Sequence, residues 1–370
     1  MTSPDIIVIG GGIAGISAAA LLAQEANVLV LERETQPGTH STGRSAATFI
    51  RNYGNATLRA LNAVAEPVLT QPEGIADSSL LSPRGELLVA GPDEMDALDA
   101  YAEGAKGIER VTKEEALNIL PILRPDQVVA ALYEDSAQDI DVDRLFQGYI
   151  RLLRRRDGQI LTGAGVTAIS RQGDTWQVST GDQTMSAPIL VNAAGAWADV
   201  VADMAGVRRV GLQPLRRSAV LMTVPEGMDS ARWPLAASAT ETWYCKPDAG
   251  KLLISPADED PVEPQDAWPD DMVLAEGLHR FSEATTFPIT RPTHSWAGLR
   301  SFVADRTPVA GFAPDEPGFF WLAGQGGYGV QTSPALAALT HALCTGATPA
   351  IAPEVVAALD PGRFADRAPA

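Results

Sequence analysis

The chain has 370 residues, 45% of them hydrophobic and 20% charged, ordinary proportions for a globular, enzyme-sized chain with a substantial core. That composition excludes disorder as the main state. A net charge of −18 repels phosphate backbones and argues against a nucleic-acid partner.

The two cysteines, Cys245 and Cys344, and the four scattered histidines make no ligand spacing, so neither a disulfide framework nor a metal site is expected. The first residues lack the basic stretch of a secretory signal. The apolar run 6–31 is broken by Gly10, Gly11, Gly12, Gly15, Gln24, Glu25 and Asn27, so no integral membrane segment is expected and a cytoplasmic location is the default.

In chain order, residues 5–9 read as a buried parallel strand, 13–24 as an Ala/Leu-rich helix and 28–31 as a second strand ending at Glu32. A polar loop follows over 33–44. Helices are expected over 56–70 (capped by Asn55), 93–105, 114–120 (with a capping box from Thr112) and 143–156. Short alternating strands fill 159–187, a buried strand 189–192, and a helix 198–205. Residues 208–254 look strand-like, 256–271 an exposed acidic loop, and 272–284 helical. A buried strand at 319–323 leads through Gly324–Gly329 into a helix reaching Cys344, and the proline-punctuated tail 346–370 is expected to fray. Three strand-turn-helix units at the start, middle and end predict an α/β fold. Its Rossmann-type, nucleotide-binding domain is expected to be discontinuous (1–80, 140–206, 296–370), with an inserted mixed-sheet domain (81–139, 207–295).

Gly10-Gly11-Gly12-Ile13-Ala14-Gly15 fits GxGxxG between a strand and a helix. Gly10 makes the tight turn, Gly12 admits a pyrophosphate, and Gly15 lets the helix pack on the strand. The helix N-terminus offers free N–H groups to phosphate. Glu32 would accept from ribose hydroxyls and repel a 2′-phosphate. FAD is favoured over NAD by the stretch 189–199, by the loop His40–Ser45, and by the late glycine turn, whose helix end would face the edge of the flavin that gains charge on reduction.

These stretches, with GTHSTGRSAA at 38–47, LLSPRGELLV at 80–89, LVNAAGAWAD at 190–199, GLQPLRRSA at 211–219, YCKPDAG at 244–250, WAGLRSFVADRTPVAG at 296–311 and QGGYGVQTS at 325–333, resemble the D-amino acid oxidase superfamily. That superfamily includes glycine oxidase and sarcosine oxidase, and within it the D-arginine dehydrogenases are the most similar. The resemblance implies a non-covalent FAD and oxidation of a D-amino acid to its imino acid, with hydride passing from Cα to flavin N5. Water then releases a 2-oxo acid and ammonia.

The resemblance places Arg217, Tyr244 and Arg300 on the substrate carboxylate and Tyr53 beside the α-amino end. It places Glu86 against a cationic side chain and the Gly327 backbone against the substrate nitrogen. The cofactor residues it implies are Gly10, Gly12, Ile13, Ala14, Gly15, Glu32, Arg33, Ser41, Thr42, Gly43, Arg44, Ser45, Ala46, Ala47, Thr48, Val166, Ala194, Gly195, Trp197, Gly326, Gly327, Tyr328, Gly329, Val330, Gln331 and Thr332.

The chemistry agrees with those residue types. Arg grips a carboxylate bidentately, and fixing carboxylate and nitrogen on opposite sides aims Cα–H. The amine must be neutral at transfer, and Tyr53 with water is the candidate base. Arg216 and Arg217 are strand neighbours, so only one is expected to face the site. The chain departs from the arginine-specific pattern at Thr48, Ile50, Leu235, Ala236 and Ala237, which predicts a broad preference. The alternative readings are a flavin oxidase of glycine, N-methyl amino acids or 2-hydroxy acids, and a flavin-binding module without catalysis. The electron acceptor (quinone, other carrier or oxygen) is left open.

Overall fold

The computed structural model describes residues 3–181 and 183–364. Two apolar runs, Ile6–Ile9 and Val28–Leu31, sit side by side within a six-stranded sheet. Its order is Val309–Phe312, Phe319–Ala323, Ile189–Asn192, Ile6–Ile9, Val28–Leu31, Gln159–Leu161. Every neighbour pair is parallel except the edge strand Val309–Phe312. The helix Ile13–Leu22 is apolar on nearly every side because it is sandwiched between the helices Gly329–Thr345 and Val142–Arg155 and the sheet. The opposite face is covered by the antiparallel layer Ala168–Gln172, Thr175–Thr180, Gln183–Ala187 and by the helix Ala198–Ala205.

The second sheet is mixed and, among the described residues, nine-stranded. Period-two alternation sorts its residues. Leu87, Val89, Ala236, Cys245, Ile254 and Val220 pack outward under the helices Lys113–Ile119 and Asp271–Ala284. Glu86, Leu88, Leu235, Ala237, Tyr244, Arg217 and Ala219 face inward onto a cavity shared with the first sheet. A small three-stranded sheet (Thr48–Phe49, Gln138–Ile140, Leu81–Pro83) stitches the two layers together.

The Asn55 cap and the Thr112/Glu115 capping box form as the sequence suggests. The strand-like stretch 208–254 forms four strands, Gln213–Thr223, Leu235–Ser238, Tyr244–Asp248 and Lys251–Ser255, separated by turns. Three other expectations are corrected. The acidic stretch 256–271 does not begin at the surface. Pro256, Ala257 and Asp258 are buried, and Asp258 accepts from the Ser218 backbone N–H and hydroxyl. The tail docks rather than frays over Pro353–Leu359 and Pro361–Phe364, because Val355, Leu359 and Phe364 fill the core; residues 365–370 lie outside the described residues. The strand His294–Phe302 pairs along its length with Gln213–Leu221. The expected domain boundary at 296 therefore falls inside a strand of the second sheet. Among the described residues no helix is long and apolar enough to cross a membrane.

Candidate active site

The cavity holds about 490 Å³ and runs from the Gly10–Ala14 turn, along the first sheet's strand ends, to the inner face of the second sheet. At one end, Gly10 adopts φ 111°, and a Cβ there would lie 2.3 Å from the Ala193 carbonyl oxygen. A Cβ on Gly15 would lie 2.0 Å from the Gly10 carbonyl oxygen, so Gly15 lets the helix meet the strand from behind the cavity wall. Glu32 is buried; its carboxylate accepts from Gly11 N–H at 2.7 Å and Glu34 N–H at 2.8 Å, which fixes it on the lip of the turn. Thr42 accepts from the Ile13 N–H at 3.0 Å, and no side chain on Gly12 caps the helix. Gly12, Ile13 and Ala14 line the cavity at this helix end, where an anion would satisfy its free first-turn N–H groups.

Gly10, Gly12, Ile13, Ala14, Glu32, Arg33, Ser41, Thr42, Arg44, Ser45, Ala46, Ala47, Thr48, Val166, Ala194, Gly195, Trp197, Gly326, Gly327, Gly329, Val330 and Gln331 all line this space. Gly15, Gly43, Tyr328 and Thr332 are not among its lining residues. Gly43 N–H closes the loop onto the Gly38 carbonyl at 2.9 Å. Tyr328 packs its ring on Tyr53 at 4.6 Å between centroids, and its carbonyl accepts from the Thr332 hydroxyl.

Several charged members are already engaged. Arg44 donates to the Ala267 and Ala297 carbonyls, and Ser41 to Leu299, tying the cofactor loop to the second sheet. Arg33 lies over the Trp197 ring at 4.6 Å. His40, the first residue of the His40–Ser45 loop, packs on the same ring and bonds Glu34 at 3.0 Å. Sequence reasoning missed Gln325. Its side-chain nitrogen is buried at the cavity without a hydrogen-bond partner, an orphan donor that a bound cofactor's acceptor would satisfy. An elongated, glycine-walled channel with a helix N-terminus and a ribose-length acid suits FAD. The Cys245 thiol lies outside the cavity lining, and burial pushes it up to about 12.

At the far end, Arg300 donates to the Tyr53 hydroxyl at 3.2 Å. Arg217, on the neighbouring paired strand, is buried; it donates to the Asp258 carbonyl at 2.8 Å and to Glu259 at 3.0 Å. Burial, then the like charge of Arg300, holds Arg217 below its ordinary range. Arg216 points the other way, onto Asp260, as strand alternation requires. Tyr244 and Gly327 line the same end; a Cβ on Gly327 would lie 2.9 Å from an Arg300 nitrogen. Burial raises the Tyr53 phenol despite Arg300, which keeps it protonated and makes it a poor base.

The last wall is mixed. Ile50 and Leu235 pack with Ala137 and Tyr53, and Leu88, Ala237 and Ala239 continue the apolar surface. Glu86 is 5% exposed and accepts from the Tyr101 hydroxyl at 2.9 Å. Burial pushes its carboxyl up to about 8, with Glu134 adding to the rise. Tyr101 and Glu241 line this wall too, and neither is signalled by any motif.

The family model described as FAD dependent oxidoreductase matches residues 5–343. The hydrogen cyanide synthase subunit HcnC of Pseudomonas aeruginosa is 28% identical over 198 residues, 51% of this chain and 45% of that protein. The chain thus spans about half the length of that curated relative. Among solved structures, L-proline dehydrogenase from P. horikoshii superposes with a TM-score of 0.83 at 21% identity, covering 98% of both chains. Glycine oxidase from Geobacillus kaustophilus does so with a TM-score of 0.83 at 20% identity, covering 96% of this chain and 98% of that one.

Proposed function

The chain belongs to the FAD dependent oxidoreductase family, and from that premise we propose that it oxidises the Cα–N bond of amino acids, D-configured ones in particular, across a broad range of side chains. The single observation that carries this reading is the convergence of Arg217, Arg300, Tyr53 and Tyr244 at one end of the cavity, beside Gly327. The like charge of Arg300 weighs on Arg217 even though Arg217 is bonded to Glu259, and an anion between the two guanidinium groups would relieve it. A substrate carboxylate supplies that anion, with Arg300 offering a planar fork.

When bound, FAD supplies the acceptor for the hydride. The protein's part is to hold and orient. The arginines fix the carboxylate on one side, and the backbone at Gly327 receives the nitrogen on the other. Tyr53 works through its hydroxyl: it accepts from Arg300 and keeps its own proton to donate. With Tyr53 protonated and Glu86 set on the side-chain wall, substrate whose amine is already neutral is the competent form. That places proton loss before binding or on water. Ile50, Leu88, Leu235 and Ala237 take an apolar side chain, which the D-arginine-type pattern does not require.

The D-configuration rests on the resemblance of the motif-bearing stretches. Glycine and N-methyl amino acids are the second reading, since the fold neighbours include a glycine oxidase and the same carboxylate site serves them. Anaerobic mixing of the holoprotein with D-, L- and N-methyl amino acids, followed by flavin absorbance, separates the readings. Bleaching by D-isomers alone supports the first; bleaching by glycine or sarcosine alone transfers the site to the second.

A further inference from the structure

Glu86 and Glu134 are direct partners across the antiparallel pair Glu86–Ala90 and Ala130–Glu134. Cross-strand partners share a face and bring their Cβ atoms within about 5.5 Å. Both are buried, at 5% and 2% exposure. Two carboxylates so placed do not ionise together cheaply. Their hydrogen bonds decide which one carries the charge. Glu134 accepts three: from the Asn52 side-chain nitrogen at 2.7 Å, the Arg51 backbone N–H at 3.1 Å and the Ser136 hydroxyl at 3.1 Å. Glu86 accepts one, from Tyr101. With three donors Glu134 is the better-satisfied carboxylate, and the open side of Glu86 lines the substrate cavity.

We propose that Glu134 is a specificity-determining positioning residue: its fixed charge keeps Glu86 a neutral carboxylic acid in the resting enzyme, so that a cationic side chain enters only by expelling the Glu86 proton. An apolar side chain, or one ending in a hydrogen-bond acceptor, enters without that exchange. The inference deepens the proposed function and rests on it for the identity of the substrate.

The surrounding groups agree in sign. Glu86 is influenced first by burial, then by Glu134 from the paired strand, by the Tyr101 hydroxyl from the helix Met95–Ala102, and by Glu241 from the turn after Leu235–Ser238. Of these only Tyr101 favours the ionised form. Arg51 acts instead on Glu66 and Glu134.

The test compares D-arginine with D-methionine as reductants of the holoenzyme in anaerobic stopped flow. Both share the α-amine and carboxylate, so the ratio of their kcat/KM values cancels the titration of those groups. In the wild type this ratio is expected to rise about tenfold per pH unit up to about pH 8 and then level. In Glu134→Gln the rise of the ratio should move to lower pH, because burial still raises Glu86 but the neighbouring charge no longer does. A wild-type ratio that is flat over the same range, or a Glu134→Gln profile that matches the wild type, overturns the proposal.

A second readout needs no substrate. The infrared spectrum of the holoenzyme at neutral pH should contain a protonated-carboxyl carbonyl band that Glu86→Gln removes and that titrates at lower pH in Glu134→Gln. Absence of that band overturns the inference whatever the substrate. Presence of the band in a protein that no D-amino acid reduces leaves the inference standing and defeats the proposed function instead.

Discussion

Arg300 donates to the Tyr53 hydroxyl at 3.2 Å across 247 positions of sequence, joining a strand of the second sheet to the loop that follows the cofactor segment. The bond fixes both groups on one cavity wall, and it sets what their substitution should do.

On the proposed reading, Arg300→Met removes a charged, bidentate contact from a water-poor site. The loss should be about 2–4 kcal/mol of transition-state binding, or about 30–1000-fold in kcat/KM. FAD should stay bound, because Arg300 sits at the substrate end. Arg300→Lys should recover little, since an ammonium cannot reproduce the fork. Steady-state rates beside the flavin-to-protein absorbance ratio check this; near-normal kcat/KM in Arg300→Met removes Arg300 from the carboxylate site.

Tyr53→Phe keeps the ring against Tyr328 and removes only the hydroxyl. Losing one hydrogen bond to a charged group should lower kcat/KM about 10–100-fold. Because burial raises Tyr53 above its ordinary 10.0, its ionisation lies beyond the working range. The acid limb of the kcat/KM profile should therefore be the same in Tyr53→Phe and wild type. A limb that vanishes in the variant makes Tyr53 the base after all.

Gly10→Ala places a Cβ 2.3 Å from the Ala193 carbonyl oxygen at a φ of 111°. Such strain has no flexible side chain to absorb it, so the variant should purify without flavin or fail to fold. The wild type, heated and spun, should release FAD into the supernatant; chromatography that finds only NAD contradicts the cofactor assignment.

The buried Glu86 carboxyl also writes a pH signature into stability. Its ordinary value is 4.5 and its folded value about 8. Between those values the folded protein holds a proton that the unfolded chain has lost, so stability should fall as pH rises through that window and level above it. Glu86→Gln removes this slope. Its gain in Tm over the wild type should be absent below pH 4.5 and largest above pH 8, as thermal scans of the two holoproteins would reveal. An equal Tm difference at every pH would mean that Glu86 is ionised in the folded state.

Much of this was legible in the sequence because backbone chemistry writes itself locally. The Gly10–Gly15 turn, the Glu32 position and the glycine turn before the last long helix are each forced by close approach or a capless helix end. Strand alternation told Arg217 from Arg216 in principle, though not which was which. What stayed hidden depends on long-range contact. Glu134 and Tyr101 meet Glu86 through strand register and helix placement, which no local pattern reports. Asp258 reads as a surface acid because its run is acidic, yet Ser218 and Arg216 bury it. The tail reads as frayed because prolines punctuate it, yet Leu359 and Phe364 find the core.

The most direct measurement is anaerobic reduction of the bound flavin by single amino acids. The proposed reading expects D-leucine, D-methionine or D-phenylalanine to bleach it with kcat/KM equal to or above that of D-arginine at neutral pH, L-isomers to leave it oxidised, and Arg300→Met to slow every active substrate alike. A flavin that no D-amino acid reduces, or that glycine, an N-methyl amino acid or a 2-hydroxy acid alone reduces, contradicts it.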